Sequence, residues 1–222
     1  MNVIPTVLTT TKEEFVEQME LFQPLYSLIQ LDIADGNLVP NRTTQIDEII
    51  ELLDSNLVTF SSSVEFDFHL MVKDYKAELA KIAKLQDKGI KVNTVLINAE
   101  LHPDIPTLAP QYTFSLGLDI FPNIQINDIA KNYNLGYIPA IQVMTVNPGF
   151  QGSPFLPDML NKLEQLREQY YKGLLLIDGG VNEKTLPAIQ FTKVKPDFLC
   201  IGSYLTKAGD NLKSRVEELK KF

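Results

Sequence analysis

The chain has 222 residues, 45% of them hydrophobic and 22% charged, the balance of an ordinary folded protein, which excludes disorder, collagen and coiled coil. Lys and Arg number 20 against 28 Asp and Glu, a net charge of −8 with no basic run, so nucleic acid and anionic membrane surfaces are poor partners. No stretch approaches the ~20 apolar residues of a membrane span, and the opening MNVIPTVLTTTKEEF lacks the basic start and apolar block of a secretory signal, so a soluble, cytoplasmic protein is expected.

Short runs rich in Val, Ile, Leu, Phe and Tyr alternate along the chain with segments of helical period. A strand over 3–8 leads to a helix over 12–22; a strand over 28–32 leads to a helix over 46–53. The third strand, 64–70, precedes a helix over 75–88 that Gly89 stops, and the fourth, 92–98, is followed by a poorly marked gap around 103–109. Strands over 114–118 and 137–143 flank a helix over 126–131. A helix over 157–170, a strand over 174–178, a helix over 183–190 started by Asn182 with Thr185 nearby, a strand over 198–201 and a helix over 211–220 complete the order.

No linker, charge block or repeat divides the chain, so residues 1–222 are expected to form one domain. Eight strands separated by helices require parallel pairing with right-handed crossovers, and a closed (β/α)₈ TIM barrel, class α/β, accommodates them most simply; a doubly wound open sheet is the alternative. The single cysteine, Cys200, sits in the apolar run DFLCIGS, where a packing role outweighs a reactive thiol.

Barrel enzymes build their sites at the carboxyl ends of strands, and the polar residues gather there. Strand two ends in Gln30-Leu31-Asp32, strand three in His69-Leu70-Met71, and strand six runs into Met144-Thr145-Val146-Asn147-Pro148-Gly149. Strand seven ends in Asp178-Gly179-Gly180 and strand eight in Gly202-Ser203. Each feature has a plain alternative: an aspartate at a strand end often caps a helix, a lone histidine in an apolar strand is more often a bonded core residue, and methionines fill cores. Together they carry more weight, because two carboxylates and a histidine meeting at a barrel mouth are costly unless paired or holding a cation. The loop of Gly149, Phe150, Gln151 and Gly152, with Gly179-Gly180 and Gly202-Ser203, supplies bare backbone N–H groups of the kind that bind phosphate without Lys or Arg.

The segments 28–41 (LIQLDIADGNLVPN), 67–72 (DFHLMV), 144–155 (MTVNPGFQGSPF), 177–182 (IDGGVN) and 201–203 (IGS) resemble the ribulose-phosphate 3-epimerase family in order and spacing, and PTVLTTT is similar to its first strand. The resemblance implies a (β/α)₈ barrel that inverts C3 of D-ribulose 5-phosphate to give D-xylulose 5-phosphate with one divalent metal ion. It implies Asp32 and Asp178 as acid and base, and Asp32, His69 and Asp178 as metal ligands. A fourth ligand, histidine in the family, falls on Gln30 here. An amide oxygen is a harder and weaker ligand than imidazole, which moves the expected preference from zinc toward Mg or Mn, with an emptied site as the alternative.

Thr9, His69, Met71, Met144, Gly149, Phe150, Gln151, Gly152, Gly179, Gly180, Gly202 and Ser203 fall on the family's substrate and phosphate positions. The sequence departs from the family at Ala34, usually Met; at Val95-Leu96-Ile97-Asn98, where a histidine and a glutamate are common; at Thr9, a serine in the family; and at Gln151, a glycine there. The Gly-Pro that usually follows the VPN segment is absent near Thr43-Thr44-Gln45. A hexulose 6-phosphate such as allulose 6-phosphate, or a non-catalytic paralogue that binds a phosphorylated ligand, therefore stands beside the pentulose reading. A homo-oligomer is expected from the resemblance alone.

Overall fold

A computed structural model describes residues 1–149 and 152–219. Eight parallel strands close into a barrel in chain order: β1 (Asn2–Val7), β2 (Leu28–Ala34), β3 (Glu65–Met71), β4 (Lys91–Asn98), β5 (Ser115–Ile120), β6 (Ala140–Met144), β7 (Leu174–Asp178) and β8 (Phe198–Ile201). The helices are α1 (Lys12–Phe22), α2 (Ile46–Asp54), α3 (Tyr75–Asp87), α4 (Ile105–Leu108), α5 (Ile126–Asn132), α6 (Asn161–Glu168), α7 (Leu186–Gln190), α8 (Ser203–Thr206) and α9 (Leu212–Leu219). The (β/α)₈ barrel read from the alternation is the observed architecture.

The differences lie in the short elements. The unmarked gap after β4 holds the single turn α4, started by Asp104, whose carboxylate accepts from the Thr107 N–H. Residues 135–137 form a 3₁₀ turn, and Pro139, unable to donate to a ladder, delays β6 to Ala140. Before α7, Asn182 accepts from the Lys184 N–H and Thr185 donates to the Gly180 carbonyl, so the segment 182–185 is a bonded turn and the helix begins at Leu186. Gly89 takes φ +85° after α3, the left-handed stop expected of it.

Side chains along a strand alternate between two faces, and this period sorts the core into two clusters. One lies between barrel and helices and includes Ile29, Leu31, Phe66, Phe68, Val95 and Ile97. The other fills the barrel: Ile4, Leu96, Ala140, Leu176 and Cys200. Gly117 belongs to this interior, since a Cβ there would stand 2.6 Å from the Ala140 carbonyl and 2.8 Å from Leu96 Cδ2. Two residues further along, the same face presents Thr6, Asn98, Asp119, Gln142 and Asp178, all buried. On these five strands the interior is therefore apolar below and polar above, whereas β2 and β3 carry the buried Gln30 and Asp67 one step below Asp32 and His69.

Candidate active site

The strand register brings the polar layer together. Asp32 of β2 pairs in register with His69 of β3; Asn98 of β4 lies beside Asp119 of β5, and Asp119 beside Gln142 of β6. Met144 of β6 lies beside Asp178 of β7, which in turn faces Cys200 of β8. These residues end or nearly end their strands, where the barrel opens into its loops.

His69 is the centre of the group and wholly buried. Its Nδ1 is 3.2 Å from Asp32 Oδ1 and 3.7 Å from Asp178 Oδ2, and its Nε2 is 3.2 Å from Asp119 Oδ2. The Asp119 contact lies off the line that a hydrogen bond prefers, leaving Nε2 without an aligned acceptor. Asn98 Nδ2 donates to Asp119 Oδ2 at 3.2 Å, while Asp119 Oδ1 has no partner among the described residues.

Three buried carboxylates around one imidazole, with no Lys or Arg among the described residues lining the cleft above, leave the site short of positive charge. Burial, then the charge of Asp32, pushes the Asp178 carboxyl up to about 8. Burial by itself would lower His69, but the Asp119 and Asp32 carboxylates outweigh it and raise the imidazole well above its usual value. Both shifts have one meaning: without a cation, the site retains protons. One ligand atom each from Asp32, His69 and Asp178 lies within 4.8 Å of the others, two oxygens and a nitrogen, a donor set that fits a divalent cation.

Gln30, expected as a fourth ligand, is fully buried beside Asp32 with its Nε2 donating to Asp32 Oδ1 at 3.1 Å. Its Oε1 accepts instead from the Cys200 thiol at 3.5 Å, and the same thiol stands 3.5 Å from Gln142 Oε1. In this arrangement Gln30 steadies Asp32 and turns its donor, not its oxygen, toward the ligand group. Cys200 is 1% exposed, and burial, then the Asp178 charge, holds its thiol well above the usual range, in keeping with the packing role read from the sequence.

Above these groups opens a cleft whose floor includes Asp32, Met71, Met144 and Asp178. Its rim is formed by Gly149, Gly152, Gly179, Gly180, Gly202 and Ser203, so every glycine expected in the phosphate loops borders it. Gly179 must be glycine: its φ is +110°, and a Cβ would come within 2.4 Å of Val146 Cγ2. Phe150 and Gln151 lie outside the described residues. Thr9 is buried, its hydroxyl 3.0 Å from that of Thr44, and the cleft is bordered instead by Thr6 of β1 and by Leu8 just after it.

Asp119 lies beyond the strand over 114–118 expected from the sequence, because β5 runs on to Ile120. The signal was an acid two residues after Gly117 inside the apolar run LGLDIF, in phase with the inward face. The loop after β5 is itself tied down: Lys162 of α6 donates to the carbonyls of Phe121, Pro122 and Ile124 at 3.0, 2.9 and 2.7 Å. Burial lowers this ammonium to about 8.

Comparison with protein families matches residues 2–206 to the ribulose-phosphate 3 epimerase family. The chain belongs to this family. A ribulose-phosphate 3-epimerase of Helicobacter pylori is 29% identical over 225 residues, covering 99% of this chain and 97% of the relative. The enzyme of the same name from Treponema pallidum is 31% identical over 164 residues, covering 72% and 70%, and that from Bacillus subtilis 28% over 196 residues, covering 85% and 84%. Among solved structures, 3-hexulose-6-phosphate synthase from Salmonella typhimurium superposes with a TM-score of 0.65 at 14% identity over 100% of this chain and 97% of that one, a likeness of fold. Relatives named ribulose-phosphate 3-epimerase are sugar-phosphate isomerases, and membership of the family places this chain among such enzymes. No helix among the described residues is long and apolar enough to cross a membrane.

Proposed function

We propose that this protein is a sugar-phosphate 3-epimerase that inverts C3 of a ketose phosphate, D-ribulose 5-phosphate to D-xylulose 5-phosphate. The observation that carries the reading is the convergence of Asp32 and Asp178 on one edge of His69, 3.2 and 3.7 Å from Nδ1, beneath a cleft rimmed by glycine loops.

Inversion makes a definite demand. A proton must leave C3 on one face of the ketose and another must arrive on the opposite face, so two groups that each exchange a proton are required. Asp32 and Asp178 come from β2 and β7, on different sides of the barrel mouth, and both border the cleft. Two buried acids this close repel, so the pair favours one protonated and one ionised member, the state in which one takes a proton and the other gives one. Met71 and Met144 form apolar floor beside them, keeping bulk water from returning a proton to the wrong face.

Asp32, His69 and Asp178 would hold a divalent ion, which when bound supplies positive charge to the ketone oxygen as negative charge develops there. The phosphate is assigned to the backbone N–H groups of the loops after β6, β7 and β8, including Gly179, Gly180 and Ser203. With a net charge of −8, attraction for an anionic substrate has to be local to these loops.

The test is exchange of the C3 proton in deuterated water, followed by NMR, with D-ribulose 5-phosphate and with D-allulose 6-phosphate, each with Mg, Mn, Zn and no metal. Deuterium at C3 together with appearance of the C3 epimer is expected with the pentulose. Faster inversion of the hexulose would move the substrate to six carbons, and no exchange with either under any ion would leave a binding protein.

A further inference from the structure

Asp119 has no part in the chemistry proposed above, yet it is fully buried in the polar layer. It is not among the residues lining the cleft, its exposure is 0%, and its only hydrogen-bond donor among the described residues is the neutral amide of Asn98. A carboxylate that deep is costly unless something nearby repays it. The group within reach is His69, whose Nε2 is 3.2 Å from Asp119 Oδ2 while Nδ1 faces Asp32 and Asp178 on the opposite edge of the ring. A buried imidazole between carboxylates on both edges must offer one nitrogen as a donor to one side and turn the other toward the rest. The loop that follows Asp119 is clamped by Lys162 through three carbonyls, so the carboxylate is carried on a fixed support.

We infer that Asp119 is a positioning residue: its carboxylate, 3.2 Å from Nε2 and off the hydrogen-bond line, holds the Nε2–H edge of His69 by charge and so keeps Nδ1 turned to the Asp32 and Asp178 pair and to a divalent cation held there. Histidines that ligate metals commonly donate their second N–H to a carboxylate, and loss of that partner typically costs about 10- to 100-fold in metal affinity. The assignment rests on the epimerase reading only for the cation; the hold on the ring stands by itself.

The experiment uses protein labelled with ¹⁵N-histidine, in which the ring of His69 is observed beside that of His102, the chain's one other histidine. His102→Asn, made outside the site, tells the two apart. In the unsubstituted protein Nε2 of His69 should carry a slowly exchanging proton shifted downfield by the carboxylate, both without metal and with zinc. In Asp119→Leu that resonance should be lost and zinc affinity should fall by about 10- to 100-fold. In Asp119→Asn, which keeps an acceptor but no charge, the proton should remain at a less downfield position with affinity between the two. KM for the sugar phosphate should not move, because Asp119 does not border the cleft.

An unchanged Nε2–H resonance in folded Asp119→Leu overturns the assignment. Should that variant fail to fold, an unmoved resonance in Asp119→Asn does the same. If the protein binds neither zinc nor manganese while the resonance still responds to Asp119→Asn, the cation reading falls and the hold of Asp119 on His69 stands.

Discussion

Two layers of the barrel interior, one step of the strand period apart, have opposite character on the same strands. On β1 the step runs from Ile4 to Thr6, on β4 from Leu96 to Asn98, on β5 from Gly117 to Asp119, on β6 from Ala140 to Gln142 and on β7 from Leu176 to Asp178. Two residues advance a strand by roughly 6.6 Å, so this distance separates a packed hydrocarbon layer from one rich in carboxylates and amides. The lower layer gains stability from burial and close packing. The upper layer gives stability away, since each of its acids is removed from water with few donors in return. The division teaches that the barrel holds its site in place with one ring of side chains and spends that stability in the next.

The comparison is broken most severely by a change in the upper layer. Asp178→Asn keeps the shape of the side chain and removes its ability to exchange a proton, so epimerisation should fall by about 10²- to 10⁴-fold. Asp32 would remain, and slow exchange of the C3 proton from one face, without inversion, is the expected residue of activity in deuterated water. Full turnover in this variant would take Asp178 out of the mechanism.

The matching change in the lower layer has the reverse signature. Leu96 is fully buried against the other interior residues, and Leu96→Ala should cost about 2–5 kcal/mol by denaturant unfolding, through lost burial and the cavity left behind. KM and the pH profile of the surviving folded enzyme should be unchanged. A large loss of activity with little loss of stability would mean that the layers are not divided in this way.

Between these two lies a dependence on pH that belongs to the upper layer. Asp178 is raised to about 8 by burial and by Asp32, and His69 is raised by its carboxylates despite burial. Across this range the folded metal-free protein holds protons that the unfolded chain has released, so its stability falls as pH rises from about 6 to 8. Asp67, raised to about 6 by burial, adds a fall of the same sign only below that window, and Lys162, lowered to about 8, acts with the opposite sign only above it. Thermal midpoints in the presence of a chelator should show the decline, and Asp178→Asn should make it shallower, leaving the part carried by His69. A flat profile in the unsubstituted protein would mean that the acids are not held as described.

Much of this layering was legible in the sequence, and the exceptions have physical causes. The period of two placed Gln30 with Asp32, and strand ends located His69 and Asp178, because hydrophobic runs mark strands reliably and a barrel fixes which end is open. Asp119 was lost when strand five was cut at Leu118: the phase of a strand is exact, but its end is not written in apolar residues when an acid is buried there. Thr9 was placed by resemblance at the mouth, whereas its hydroxyl meets Thr44, and Thr6, one inward position earlier, borders the cleft with Leu8. The orientation of Gln30 depended on Cys200, 170 residues away, a contact no local pattern contains.

Position 30 also offers the mildest test, since one neutral side chain is exchanged for another one step below Asp32 on the same strand. Gln30 now donates to Asp32 and accepts from the Cys200 thiol, so its donor faces Asp32 while its oxygen is occupied by the thiol. Gln30→His would replace that donor with an imidazole beside Asp32, adding a nitrogen to a set that has one, from His69. Nitrogen ligands favour zinc over manganese more than oxygen does, so affinity for zinc should rise by about tenfold, some 1.4 kcal/mol, with a smaller gain for manganese. Competition titrations against a chelator would measure the ratio. An unchanged zinc-to-manganese ratio would show that position 30 supports Asp32 without reaching the cation, leaving the metal to the three residues whose donor atoms already converge.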